Sequence, residues 1–343
     1  MNQRHVLVTG GSGFIAGHCI LQLLADGHLV RATLRSISGE TAARAALEQA
    51  GMVQGGRLSF VAADLLRNDG WAGAMRDIDA VLHVASPVQP GHVANEDDLI
   101  VPAQEGTLRV LRAARDAGVG RVVLTSAFHA VSWGHPHRAH VFTEADWTVL
   151  DGPGVDAYGK SKTIAERAAW DFIAQEGGTL ELVTMLPVAV MGPVIGHSVT
   201  GANHIIQRML RGAMPGFPNL FIPIVDVRDV ARAHILALGS RQAAGERFLI
   251  SNGVPLAMKE IGAIIRDSVD EAASSRLPTR SLPDLMIRFM ALFRPELRHY
   301  VPDLGYAKKT TNEKSRNLLG WVPRPAEEAI AAAAQSMVRS GLG

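Results

Sequence analysis

Short apolar runs, most of them rich in β-branched residues, alternate through the first half of the chain with segments of helical periodicity. Residues 5–9, 29–34, 58–62, 80–85, 121–125 and 180–186 read as strands. Several are apolar nearly throughout, as parallel strands covered on both faces must be. Between them, residues 14–25, 41–50, 101–117 and 157–175 carry amphipathic, helix-forming patterns. Strand and helix in regular succession predict right-handed βαβ units and a doubly wound parallel sheet, an α/β fold.

After Pro187 the rhythm loosens. Residues 192–223 are rich in Gly, Pro, His and Asn and read as loop plus one helix at 205–211. Residues 222–225 and 247–250 read as further strands flanking a helix at 227–238. The remainder is mostly helical, at 258–272, 282–293, 313–318 and 326–337. The expected division is a sheet domain over 1–190, to which 222–251 returns. Residues 191–221 and 252–343 then form a smaller, mostly helical lobe beyond the C-terminal ends of the strands.

At 343 residues the chain is long enough to bury a large core without a disulfide or metal staple. Thirty-four Lys and Arg nearly cancel 33 Asp and Glu, which argues against nucleic acid or an anionic membrane as the main partner. A single cysteine, Cys19, cannot close an internal disulfide and fits a reducing compartment. The first apolar run reaches glycine too soon for a signal peptide, and no stretch approaches the ~18 apolar residues of a spanning helix. A cytoplasmic protein, monomer or homodimer, is expected.

The turn between the first strand and first helix reads Thr9-Gly10-Gly11-Ser12-Gly13-Phe14-Ile15-Ala16. Gly11-x-Gly13-x-x-Ala16 fits the dinucleotide fingerprint of a Rossmann fold, in which the backbone approaches a pyrophosphate and a helix N-terminus faces it. A bare glycine pattern also occurs in surface turns; strand before and helix after give this one its required context. An NAD-preferring fold carries Asp or Glu at the end of the second strand, whereas here stand Arg35 and Ser36. An arginine at that point pairs with a 2′-phosphate, so NADP is the expected cofactor, against the plainer reading of a solvated surface arginine. Asp64 and Leu65, after the third strand, are placed to meet adenine, although an acid there also serves as an ordinary turn former.

Tyr158 and Lys162 stand four residues apart at the start of a predicted helix and so share one face. A neighbouring ammonium lowers a phenol's pKa from about 10 and makes it an acid or base for proton transfer. Together with the glycine turn, these residues resemble the extended short-chain dehydrogenase/reductase superfamily, and within it the dihydroflavonol reductase-like branch of NADPH-dependent aldehyde and ketone reductases. The likeness runs nearly end to end, through His83–Val84–Ala85–Ser86–Pro87, Val122–Val123–Leu124–Thr125–Ser126, Leu186–Pro187–Val188–Ala189–Val190, Val225–Asp226–Val227–Arg228–Asp229 and Leu318–Leu319–Gly320–Trp321. It implies a cofactor wall of Gly10, Gly13, Phe14, Ile15, Arg35, Asp64, Leu65, Ala85, Ser86, Thr125, Tyr158, Lys162, Pro187, Val188 and Val190. It also implies that the tyrosine protonates the carbonyl oxygen, the lysine steadies the ribose, and a serine hydroxyl holds the oxygen.

The chain departs from that pattern at the serine. The superfamily reads Thr-Ser-Ser with the second serine catalytic; here the run is Thr125-Ser126-Ala127-Phe128-His129. Losing one such donor costs on the order of 10²–10³ in turnover. Three readings follow: Ser126 serves, another donor such as His129 replaces it, or the protein binds NADP with little turnover. A shift of one residue in register also makes Ser126 the catalytic serine.

Other candidates have plainer readings beside them. His129, His135, His137 and His140 lack a compact metal-binding spacing and read as a substrate-facing or surface loop, so no metal is expected; His129 is the one within reach of a carbonyl. Asp226 and Asp229 read as strand-end and helix-start residues rather than a carboxylate pair. Met185, Met191, Met209 and Met214 read as packing or pocket lining, and Trp133, Trp147, Phe217 and Phe221 as cleft walls or core. The overall expectation is NADPH-dependent reduction of a small-molecule aldehyde or ketone by Tyr158, Lys162 and Ser126, with His129 toward the substrate. The alternatives are an NADP-binding sensor or scaffold, and a hydroxysteroid dehydrogenase or sugar-nucleotide epimerase.

Overall fold

The structure is a computed structural model and describes residues 3–53, 55–87 and 95–343. Its centre is a seven-stranded sheet in the order β3-β2-β1-β4-β5-β7-β11, every pairing parallel. The first five strands are β1 (His5–Val8), β2 (Leu29–Leu34), β3 (Leu58–Ala62), β4 (Ala80–His83) and β5 (Arg121–Thr125). A two-residue strand β6 (Val141–Phe142) precedes β7 (Glu181–Pro187), and β8 is Ala189–Met191. The later strands are β9 (Phe221–Ile222), β10 (Ile224–Asp226), β11 (Arg247–Ile250), β12 (Leu256–Ala257) and β13 (Lys309–Thr310).

The helices of the sheet region are α1 (Phe14–Ala25), α2 (Glu40–Gln49), α3 (Trp71–Met75), α4 (Asp97–Asp116) and α5 (Ala157–Glu176). Then come α6 (Asn203–Leu210), α7 (Val227–Gly239), α8 (Met258–Ser268) and the short α9 (Glu271–Ser274). The last three are α10 (Asp284–Phe293), α11 (Glu313–Leu319) and α12 (Ala326–Arg339).

Strand alternation sorts the core into two layers. Val6 and Val8 meet α1 and α7 on one face, where Ile20, Leu23, Leu24, Val230 and Ile235 are buried. Leu7, Val81 and Val122 point the other way, onto Trp71, Leu111 and Phe172 from α3, α4 and α5. This two-sided burial explains why the strand sequences are apolar throughout rather than alternating. A third core, made by α6, α8 and α12 with Met191, Phe217 and Ile224, lies outside the sheet.

Three expectations are corrected. Residues 222–225 do not form one strand, because Pro223 interrupts them: β9 pairs antiparallel with β12, and β10 pairs with β8 in a separate two-stranded sheet. Only β11 of the returning segment joins the main sheet, beside β7. The helix expected over 258–272 stops at Ser268, and a new turn starts at Asp270, whose side chain accepts from Ala273 N at 2.8 Å. The short helix α3 carried too few residues to show a period.

Packing of the third core is tightest where α8 crosses Phe217. A Cβ at Gly262 would stand 2.3 Å from Phe217 Cζ, and Phe217 is buried. Gly262→Ala is therefore expected to destabilise the fold by about 1–3 kcal/mol through overpacking, read as a lowered urea midpoint with unchanged slope.

Candidate active site

Strand order reverses at β1, whose neighbours β2 and β4 lead to opposite edges of the sheet. Ligands of such sheets bind in the crevice beyond the strand ends at that reversal. The glycine turn occupies it. Gly10 adopts φ +72°, and a Cβ there would press on Ala85 at 3.1 Å, so the turn lies against the chain leaving β4. Gly11 N donates to Thr33 O at 2.8 Å and Gly13 N to Gly10 O at 2.8 Å. At the start of α1, Gly13 offers no side-chain cap and the first turn holds no acid. The helix therefore presents its free N–H groups and positive end without internal competition, which fits a dinucleotide pyrophosphate.

Around this turn the sheet ends carry polar groups, each with a specific partner. Thr9 Oγ1 accepts from Val84 N and Ala85 N at 3.0 and 2.9 Å, so its proton goes to His83 Nδ1 at 2.9 Å. Thr125 donates its hydroxyl to His234 Nε2 at 2.8 Å, because His234 Nδ1 is committed as donor to Val230 O. Both imidazoles are thus held neutral, and burial pushes His83 down to about 3 and His234 down to about 4.

Asp156 caps α5 by accepting from Gly159 N at 2.7 Å, which fixes where that helix begins. Tyr158 and Lys162 follow on one face, the ammonium 5.9 Å from the centre of the phenol ring. Neither the hydroxyl nor the ammonium is hydrogen-bonded or ion-paired among the described residues. The expected lowering of the phenol is not what the site does. Burial, aided by the charge of Asp156, pushes Tyr158 up to about 12, while burial, partly offset by Glu166, brings Lys162 down to about 8. At neutral pH the pair is a protonated phenol beside a mostly protonated amine.

His129 lies against Tyr158, their ring centres 4.9 Å apart and nearly perpendicular. Its other side stacks on Trp133 at 3.8 Å, and Lys308 Nζ sits 3.7 Å over the far face of Trp133. Burial brings His129 down to about 4, so the ring is neutral and keeps one N–H to donate. Lys308, held by Asp303 at 2.7 Å, belongs to a tail segment that the sequence did not single out. No motif marks it; its place follows from the parallel pairing of β13 with β6.

Ser126 is engaged elsewhere. Its hydroxyl donates to Glu166 Oε2 at 2.6 Å, and the buried Glu166 also accepts from Thr184 at 2.9 Å and from Arg247 at 2.8 Å. Ala127, 5% exposed, offers only a methyl group beside Ser126.

The remaining expected residues are distributed around the crevice. Arg35 is exposed at the end of β2, without a hydrogen bond or ion pair among the described residues, and no acid stands beside it in sequence. Asp64 is half-buried with one oxygen closing a turn on Leu66 N; Leu65 lies in the core with its carbonyl accepting from Arg109. Phe14, Ile15, Ala85, Ser86 and Val190 are half-buried, and Pro187 and Val188 are buried at the end of β7. His135 bonds to the Val131 and Trp147 carbonyls and His140 to Asp146, and no group among the described residues is arranged to hold a metal. Asp226 caps α7 and pairs with Arg228, whereas Asp229 pairs with Arg324 and accepts from its backbone. Met185, Met191 and Met209 are core residues.

Comparison with known proteins places this geometry in a context. The model of the NAD dependent epimerase/dehydratase family matches residues 6–251. Cinnamoyl-CoA reductase 1 of Oryza sativa subsp. japonica is 35% identical over 266 residues, 76% of this chain and 75% of its own length. Ketoreductase azaE of Aspergillus niger is 32% identical over 354 aligned positions, 98% of each chain. Among solved structures, yeast methylglyoxal/isovaleraldehyde reductase Gre2 complexed with NADPH matches with a TM-score of 0.78 and 25% identity, over 99% of this chain and 100% of that one. Gre2 of Candida albicans in complex with NADPH matches with a TM-score of 0.80 and 26% identity, over 98% and 99%.

Two consequences are measurable. The unfolded chain protonates His83 and His234 near pH 6.5, while the folded chain refuses those protons down to about 3 and about 4. The share of stability from these two rings is therefore full above pH 7 and is lost as the pH drops through 6, by up to about 1.4 kcal/mol per pH unit for each ring. Urea unfolding at a series of pH values should show this slope, and His234→Gln should remove one ring's share. Arg247→Met strands the Glu166 carboxylate and is expected to cost about 3–5 kcal/mol, read by the same unfolding measurement at pH 7.

Proposed function

The chain belongs to the NAD dependent epimerase/dehydratase family, and on that premise we propose that it reduces an aldehyde or ketone to an alcohol with NADPH, Tyr158 donating the proton. One observation carries this reading. A protonated phenol and an ammonium, both with unengaged polar ends, lie side by side on α5, and a neutral imidazole is packed against the phenol. Among the described residues the polar ends satisfy no other group, so no structural role accounts for the arrangement.

The preference for NADPH over NADH rests on Arg35, unpaired among the described residues at the end of β2, where an acid would meet a ribose hydroxyl. It is supported by the two Gre2 structures, both complexed with NADPH. Gly10 and Gly13 let the backbone approach the pyrophosphate, Ala85, Ser86 and Val190 flank the crevice, and Lys162 is placed to hold the ribose. A bound NADPH supplies the hydride. What the protein adds is a proton at the carbonyl oxygen, from Tyr158, and a donor that fixes that oxygen as charge develops on it.

His129 is the better donor than Ser126. Ser126 spends its proton on Glu166, whereas the His129 N–H is uncommitted and the ring stays neutral through the physiological range. The reading as a sensor with little turnover is favoured by the methyl of Ala127 alone, and NADPH consumption with an aldehyde panel separates the two.

Tyr158→Phe is expected to bind NADPH with nearly unchanged affinity, by fluorescence titration, and to lose turnover; retained turnover refutes the assignment. His129→Ala should lower kcat by about 10²–10³, as removal of one oxyanion donor does, with Ser126→Ala clearly less harmful to kcat.

A further inference from the structure

We propose that the outward face of α10 seats the protein on a lipid surface bearing anionic headgroups. On this helix Ile287 and Ala291 turn inward and are 6% and 5% exposed. On the other side Leu285, Met286, Phe289, Leu292 and Phe293 are exposed, from 41% at Met286 to 79% at Leu285. At 3.6 residues per turn these five span an arc of roughly 120°, as wide as the apolar stripe that ordinarily faces a core. Phe289 and Phe293 pack edge to face at 5.3 Å, so the arc is a continuous surface. Scattered exposed apolar residues need no explanation, but a contiguous patch of this kind marks an interaction site.

Charge selects the occupant. The whole chain balances 34 basic against 33 acidic residues, yet between Arg276 and Tyr300 stand five arginines (276, 280, 288, 294, 298) against Asp284 and Glu296. None of the five forms an ion pair among the described residues. Arg288 lies at the edge of the apolar arc and Arg294 at its end, both exposed. Apolar side chains flanked by cations are what an interfacial helix needs: the apolar face enters the acyl boundary while the guanidiniums reach up to phosphates.

A second copy of the chain is a poorer occupant. A ten-residue helix paired with itself covers well under the ~800 Å² per partner of a standard interface, and a two-fold contact sets like charges against each other. No helix among the described residues is long and apolar enough to cross a membrane, so the attachment is peripheral. The balanced overall charge, which argues against such a partner, averages over this local excess.

Flotation of the full chain with vesicles tests the proposal. With phosphatidylglycerol in the vesicles, the bound fraction should exceed that with phosphatidylcholine alone by about tenfold, and should fall as salt rises. Leu285→Ser/Phe289→Ser/Phe293→Ser should abolish binding while the circular dichroism melt is kept. If that variant unfolds, Arg288→Gln/Arg294→Gln decides, and is expected to erase the preference for anionic vesicles. Absence of wild-type flotation overturns the proposal, as does flotation that survives the serine substitutions or a preference for anionic vesicles that survives the glutamine ones. A wild-type dimer in sedimentation equilibrium that the serine variant dissociates also overturns it, assigning the face to a second copy.

Discussion

The carboxylate of Glu166 is buried on the side of α5 that faces the sheet, one turn beyond Lys162 and two beyond Tyr158. It draws Ser126 from the end of β5, Thr184 from β7 and Arg247 from β11 into one hydrogen-bonded cluster. A charge at this depth is tolerable only when every lone pair is used and an opposite charge is close. The consequence is geometric. The helix that carries the phenol and the ammonium cannot slide or rotate on the sheet without breaking bonds to three strands, so that pair inherits its position from a third group on the same helix.

That anchor also bears on the proposed reduction. Because Ser126 is spent on the anchor and Ala127 offers only a methyl group, the proposed carbonyl substrate would take its second donor from elsewhere. The stack of Tyr158, His129, Trp133 and Lys308 offers one at the next layer. Lys308 in turn is steadied by Asp303, so a tail segment far along the chain braces the loop after β5. A donor held between two rings has little freedom to reorient, which is the condition for an effective preorganised dipole.

The strand-and-helix succession was legible in the sequence because two-sided burial leaves an unmistakable apolar signature; six of the seven sheet strands can be placed by it in the first 187 residues. The glycine turn and the Tyr158–Lys162 pair were legible because each has a fixed local spacing. What was illegible depends on distance along the chain. The Glu166–Arg247 pair joins residues 81 apart, and Lys308 reaches Trp133 across most of the C-terminal half. No local pattern encodes such contacts. The direction of the tyrosine's shift failed for a related reason: spacing shows the nearby ammonium, but only packing shows how completely the phenol is removed from water.

Electrostatics near the glycine turn follows one rule. His83 and His234 are neutral, and Glu166 is balanced by Arg247. The first turn of α1 contains no acid, Arg35 has no partner among the described residues, and Lys162 keeps its charge at neutral pH. Three positive features stand at the crevice: a helix N-terminus, a guanidinium and an ammonium. Such a field attracts a polyanion to the crevice before any specific contact forms. On the proposed reading Lys162 would act twice, since the ammonium that would steady the ribose is also part of this potential, and loss of its proton above about 8 would weaken both.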